Sequence, residues 1–226
     1  MAISNRFLGV SLLALAGTMS AQAQAATDQQ QTIDRARITI NDLRSDKEFG
    51  NARDLLHRAR AMLIVPRLYK GGFFVGGEGG TGVMMTREAK GGWSSPAFYN
   101  LGSASFGFQI GIEQSEMILF VMSQKALDAL NSNEVKLGAG AGVTVVTLGS
   151  NVEGATTTNA GADIVTWASS TGAYAGVSLN GSVIRPDKDD NAAYYGRAVG
   201  ASDILYKHSV SNAGAAALRA SMAAVR

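Results

Sequence analysis

After a short opening whose single charge is Arg6, the chain runs mostly apolar from Phe7 to Ala16 and reaches the small-x-small triplet Ala23-Gln24-Ala25. That order describes a secretory signal peptide over residues 1–25, with an apolar stretch too short to cross a membrane as a helix. Residues 26–32 read as a polar lead-in. From Ile33 the pattern becomes helical: Ile33, Ala36, Ile40 and Leu43 recur every three or four residues, with Asp34, Arg35, Arg37 and Asp42 between them. A second amphipathic helix is predicted over 46–61, with Ala52, Leu55, Leu56 and Ala59 inward and Arg53, Arg58 and Arg60 outward. Neither face carries enough large apolar residues for a helix lying in a membrane.

Beyond the helices the period shortens. Met62–Val65 reads as a buried strand closed by Pro66, and Phe73–Val75 with Val83–Thr86 as a hairpin around Gly76–Gly82. Trp93–Leu101 reads as an extended segment interrupted at Pro96. Phe106, Phe108, Ile110 and Ile112 alternate with smaller or polar residues, the sign of a half-buried strand, and Met117–Met122 is its expected partner. Ser123 is placed to cap a helix carrying Ala126, Leu127 and Leu130, which Asn131-Ser132-Asn133 ends. Val135–Thr147 returns to strand, with Gly138, Gly140 and Gly142 on one face. Ile164–Trp167 and Ala173–Leu179 are further strands, and Asn180-Gly181 is a hairpin signal returning Ser182–Arg185 against the strand before it. Asp203–Lys207 forms a helical turn, and an Ala-rich helix from about Asn212 docks through Leu218, Met222 and Val225. The whole is an α+β fold: a curved, glycine-rich antiparallel β-sheet or partial barrel with helices at the N- and C-terminal ends, one domain over 33–226.

Composition narrows what such a domain does. The net charge is +2, and removing residues 1–25 takes away only Arg6, so nucleic acid is not an expected partner. There are no cysteines, hence neither disulfides nor a thioether-linked lipid anchor. Twelve of the 27 glycines fall between Gly71 and Gly111, and among them Gly77-Glu78-Gly79-Gly80-Thr81-Gly82 matches G-x-G-x-x-G. The nucleotide reading fails on context, because that motif must open a helix and Val83–Thr86 is extended.

Two histidines, His57 and His208, far apart in sequence and without cysteine, make no zinc site, and no G-x-S-x-G elbow marks a nucleophile. Asp187, Asp189, Asp190 and Asn191 have the oxygen ligands for a cation but lack the glycine and terminal glutamate of an EF-hand, so a solvated turn is the expectation. No cofactor and no enzyme activity are expected. What stands out is charge: between Arg53 and Trp93 lie seven basic residues against three acidic. Arg67, Lys70, Arg87 and Lys90 flank strand ends, where they could meet phosphate headgroups while Trp93, Tyr69 or Phe73 sits at the lipid interface.

Several motifs, in order, carry a resemblance. Ala59-Arg60-Ala61-Met62-Leu63-Ile64-Val65-Pro66 leads to Lys70-Gly71-Gly72-Phe73, then Gly76-Gly77, Gly80-Thr81-Gly82-Val83 and Trp93-Ser94-Ser95-Pro96-Ala97-Phe98. Gly107–Gly111, Gly172–Gly181, Asn191–Gly196 and Asp203-Ile204-Leu205 follow. Together they resemble the SYLF domain family over roughly residues 33–218. The resemblance implies a lipid-binding module, since eukaryotic relatives associate with phosphoinositides and membranes and fungal ones also with actin. The chain departs from the family pattern at Thr147-Leu148-Gly149-Ser150, where relatives often have Gly-Pro-Val-Gly. It also lacks the proline usual before the last helix, within Ser209–Ala213. Phosphoinositide specificity and actin activity are not carried over to an exported bacterial protein.

The expectation is therefore an exported, periplasmic or secreted, non-enzymatic protein, peripheral on a membrane, binding anionic phospholipids through Arg67, Tyr69, Lys70, Arg87, Lys90 and Trp93. The alternative is a structural or protein-interaction module of the cell envelope with an envelope protein as partner. A third possibility, an outer-membrane barrel, is disfavoured by the Ala-rich C-terminal helix and the sparse aromatic residues.

Overall fold

Thr27 starts the described structure by accepting the Gln30 N–H on its hydroxyl at 3.2 Å, and this cap opens α1, Asp28–Ser45. In a computed structural model of the chain, residues 27–224 are described apart from 47–48, 73–74, 107–110, 133, 138–141, 149–160, 171–178 and 180. The segment expected to be a signal peptide, Phe73, Phe108, Ile110, most of the strand expected over Ala173–Leu179, Gly138, Gly140 and Val225 lie outside the described residues. The polar stretch before Ile33 is helix rather than lead-in. Its glutamines make long-range ties: Gln29 donates to the Asp190 carboxylate at 2.7 Å and Gln30 to the Gly214 carbonyl at 3.1 Å.

Helix α2 (Phe49–Arg58) follows, and then the sheet. Its strands are β1 (Ala61–Gly72), β2 (Val75–Thr86), β3 (Ala97–Phe106), β4 (Gly111–Val121), β5 (Val135–Lys136), β6 (Val145–Thr147), β7 (Ile164–Ser170) and β8 (Val183–Pro186). They run in the order β5-β8-β3-β2-β1-β4-β7-β6, a curled half-barrel in which the β6–β7 pair is parallel and the other pairs are antiparallel. The helices α3 (Gln124–Asn131), α4 (Lys188–Tyr195), α5 (Ala201–Leu205) and α6 (Ala216–Ala223) complete the fold.

Alternation along the strands feeds two cores. Met62, Ile64, Val83, Met85, Phe98, Ile118 and Phe120 pack under α1, α2 and α6 through Ile33, Ile40, Leu56, Leu218 and Met222. Leu63, Val65, Met84, Tyr99, Leu119 and Val121 fill the other face with α3 and α5 through Leu127, Leu130 and Ile204. As expected, Ser123 caps α3, accepting from the Ala126 N–H at 3.1 Å.

The strand boundaries differ from the expectation in instructive ways. Pro66 does not close β1. It sits where the pairing to β2 shifts between Ile64 and Tyr69 and the pairing to β4 shifts between Val65 and Leu68. A bulge is the one interior position where a missing N–H breaks no ladder bond. Gly76–Gly82 is likewise not a hairpin loop but the interior of β2. A Cβ on Gly80 would collide with the Arg67 carbonyl oxygen, and one on Gly82 with that of Ile64, so the bulged strand closes down on two positions where only glycine fits. Of the alternating run, Phe106 ends β3 and Ile112 lies at the start of β4, so Met117–Val121 continues the strand that holds Ile112 rather than pairing with it. Val135–Thr147 holds two short strands at opposite ends of the sheet order. Among the described residues, Ser182–Arg185 finds its partners in β3 and β5.

One contact under α1 is ionisable. Glu116 on β4 meets Asp42 and Thr39 of α1; burial first, then the Asp42 charge and hydrogen bond, push its carboxyl up to about 7 from 4.5. A carboxyl whose pKa is raised by folding stabilises fully below the unfolded value and loses that contribution as pH rises through the folded one. The melting temperature is therefore expected to fall between pH 4.5 and about 7. Glu116→Gln should flatten that slope in thermal melts across the range; an unchanged slope would show that Glu116 is not its source.

Candidate functional site

The sheet outgrows its helical cover where β2 and β3 carry glycine. In register across five strands lie Tyr69 on β1, Gly79 on β2, Gly102 on β3, Val183 on β8 and Lys136 on β5. All share the face that α1 covers further along, since Val83 and Phe98, four residues away on the same strands, belong to that core. Gly79 and Gly102 face each other directly, so the middle of this row is bare main chain. A Cβ at either would only touch a carbonyl oxygen at 3.7 Å, an ordinary contact. Unlike Gly80 and Gly82, these two glycines are not required by packing. Their effect is to leave a floor without side chains.

The neighbouring row fixes one end of that floor. Thr81 donates to the Asn100 side-chain oxygen at 3.1 Å, and Asn100 donates to the Asp187 carboxylate at 2.6 Å. Around the floor opens a groove of about 970 Å³. Its cations are Arg35 from α1, Arg67 from the β1 bulge, Arg185 from β8 and Lys136 from β5, and among the described residues no carboxylate lines it. Arg35 donates to Gln31 at 3.2 Å, whereas Arg67, Lys136 and Arg185 make no ion pair or side-chain hydrogen bond among the described residues. Tyr69 stands at the rim, 46% exposed. Four like charges around one hollow, with Asp187 engaged by Asn100 at one end of its floor, form a site suited to an anion.

Of the six residues expected at the site, Arg67 and Tyr69 line this groove. Lys70, one residue on, points to the opposite face and lies across from Glu78 on β2. Arg87, Lys90 and Trp93 are elsewhere, roughly 25 Å further along the β2 direction. Trp93 is 2% exposed and cannot reach a lipid interface. Arg87 stacks on its ring at 4.5 Å, and its guanidinium donates to the carbonyls of Leu56 and Ala59 at the end of α2. Aromatic face and arginine therefore satisfy each other and the helix terminus. Lys90 is exposed on the Glu88–Gly92 turn, well away from Arg67. The hollow beside that turn, about 620 Å³, has its charges partly engaged: Arg60 donates to Gln124 at 3.4 Å, and His208 faces Glu88 at 3.8 Å.

Arg35, Lys136 and Arg185 were not singled out from the sequence. They belong to three elements far apart along the chain, and the signal was alternation: Lys136 sits between the buried Val135 and Leu137, and Arg185 follows the buried Ile184. The aspartate cluster is a helix start. Asp187 accepts from the N–H groups of Asp189 and Asp190 to cap α4, and buried Asn191 accepts from the Phe98 N–H at 2.8 Å. Among the described residues no group of three or more His, Asp or Glu could hold a metal, and no helix is long and apolar enough to cross a membrane.

Fold and groove together describe a half-barrel with helices at both ends and a cationic hollow on its glycine floor. The family described as "Ysc84: Las17-binding protein actin regulator" matches residues 102–225, more than half of the chain, and the chain belongs to this family, the SYLF domain family that its motifs resemble. SH3 domain-containing YSC84-like protein 1 of Rattus norvegicus is 34% identical over 145 residues, covering 64% of this chain and 43% of the relative. Its Homo sapiens counterpart is 33% identical over 153 residues, covering 67% and 44%. LAS seventeen-binding protein 3 of Saccharomyces cerevisiae is 30% identical over 175 residues, covering 74% and 38%. The chain thus spans less than half the length of these relatives, of which the yeast protein is named as a binding protein.

Proposed function

We propose that this chain is an exported, non-enzymatic protein whose groove binds the phosphate of anionic phospholipid headgroups at a membrane surface. The observation that carries the reading is the set of four cations, Arg35, Arg67, Lys136 and Arg185, around a hollow whose described lining residues include no carboxylate. Each such residue close to an anionic surface contributes about 1 kcal/mol, so the set supports reversible attachment. Tyr69, exposed at the rim, supplies the amphipathic ring suited to the headgroup layer. Export rests on Arg6, the apolar run to Ala16 and the Ala23-Gln24-Ala25 triplet. An intact-mass measurement of the protein from its native envelope should find a chain beginning at Ala26; retention of residues 1–25 would refute cleavage.

The binding test is co-sedimentation with vesicles at low salt. Phosphatidylglycerol vesicles should retain the protein, neutral phosphatidylcholine vesicles should not, and Arg67→Glu with Arg185→Glu should abolish retention. Lys90→Glu, at the far turn, should leave retention nearly unchanged. Equal binding to neutral and anionic vesicles would refute the headgroup reading.

A second reading, a protein-interaction module, is favoured by the names of the relatives, one of which is a LAS seventeen-binding protein. It predicts a partner captured from envelope extract that is retained equally well by the Arg67→Glu, Arg185→Glu variant.

A further inference from the structure

The four cations of the groove are divided between two rims. Arg67 on β1 and Arg35 on α1, the helix packed against β1 and β2, form one, and Arg185 on β8 with Lys136 on β5 form the other. Between them run β2 and β3, whose facing residues at this level are Gly79 and Gly102. Three inter-strand spacings separate β1 from β8, roughly 14 Å between their backbones. A single phosphodiester carries one negative charge, so seated at one rim it leaves the opposite pair of cations unpaired, and seated midway it leaves most of the positive charge uncompensated. Like charges without a counter-ion at this range repel each other.

Resting on the headgroup reading above, we infer that the groove selects ligands carrying two phosphate groups, one at each rim, with the linker between them lying over the bare floor of Gly79 and Gly102. The floor suits this arrangement because the backbone there is not screened by side chains, and the linker can lie flat across two strands. Thr81 and Asn100, already hydrogen-bonded to each other, bound the linker at one end. Arg67, Arg185 and Lys136 stand on strands of one hydrogen-bonded sheet, which holds the spacing of the two rims and penalises a ligand with a single phosphate.

The experiment compares phosphatidylcholine vesicles containing either cardiolipin, with two phosphates, or phosphatidylglycerol, with one, matched for total negative charge. Cardiolipin should bind roughly tenfold more tightly, the scale expected when one further charge-assisted contact forms. Arg185→Gln with Lys136→Gln should weaken binding to both anionic vesicles and bring the ratio between cardiolipin and phosphatidylglycerol close to one; a tenfold ratio kept in this variant would overturn the two-rim inference. Both side chains are exposed, so thermal melts of this variant should match the parent and exclude misfolding.

A soluble arm separates the sources of the two phosphates. Fructose 1,6-bisphosphate displacing the protein from cardiolipin, where fructose 6-phosphate does not, would support two-phosphate recognition and show that no acyl chain is needed. Equal binding of the two anionic vesicles, with neutral vesicles still excluded, overturns the two-rim inference and leaves the headgroup reading standing. Loss of all anionic preference overturns both.

Discussion

Gly80→Ala is expected to cost about 3 kcal/mol or more, because the new methyl meets main chain rather than a movable side chain. The obstacles are the Arg67 carbonyl, its carbon at 3.2 Å and the Val65 Cγ1 at 3.0 Å. For a domain of this size such a loss lowers the melting temperature by roughly 10 °C. Gly79→Leu, one residue away, makes the instructive contrast. Its Cβ has ordinary room, and a branched side chain in a strand restricts the unfolded chain more than glycine does, so stability should hold or rise by up to about 1 kcal/mol. The same change fills the groove floor and should abolish retention on anionic vesicles. Thermal melts and co-sedimentation on both variants decide the matter. A stable Gly80→Ala would mean the bulge is not held against β2, and a vesicle-binding Gly79→Leu would remove the ligand from the floor.

Asn191→Ala should also cost about 3 kcal/mol. Asn191, wholly buried on α4, receives the Phe98 N–H at 2.8 Å and donates back to the Phe98 carbonyl at 3.4 Å. That carbonyl also accepts the Asp187 N–H at 2.8 Å and keeps a partner in the variant. The Phe98 N–H loses its side-chain acceptor in a region closed to water, and that desolvated donor accounts for most of the cost. Asp189→Ala, exposed on the same helix, should change stability by less than about 0.5 kcal/mol. Urea titration of the two variants tests this; an equal effect on both would mean the loss comes from α4 as a whole.

The helices were legible because their faces are periodic. Ile33, Ala36, Ile40 and Leu43, and later Leu218 and Met222, are buried as their spacing requires, and Ser123 caps the helix it precedes. The strand boundaries were not, for two physical reasons. Proline ends a regular strand but is at home in a bulge, and nothing local to Met62–Lys70 announces the register shift at Pro66. Glycine serves both turns and closely approached strands, so Gly76–Gly82 read as a loop although it lies within β2.

The site was half legible for a related reason. Arg67 and Tyr69 were found because they sit in the dense segment around Pro66. Arg35, Lys136 and Arg185 reach the groove only through pairing across β5, β8, β3, β2 and β1, and a linear reading does not supply that register. Arg87 and Trp93 misled because a cation and an aromatic ring near each other in sequence fit a membrane rim as well as a buried stacked pair; the hydrogen bonds from Arg87 to the end of α2 decide for the latter.

The two kinds of glycine in β2 also bear on how such a scaffold changes over time. Gly80 and Gly82 tie sequence to fold and leave no freedom, whereas Gly79 and Gly102 are free of that constraint. New side chains can enter the floor one at a time without approaching the stability threshold that rejects most substitutions. Ligand preference in this half-barrel is therefore open to revision by single changes, independently of the packing that keeps it folded.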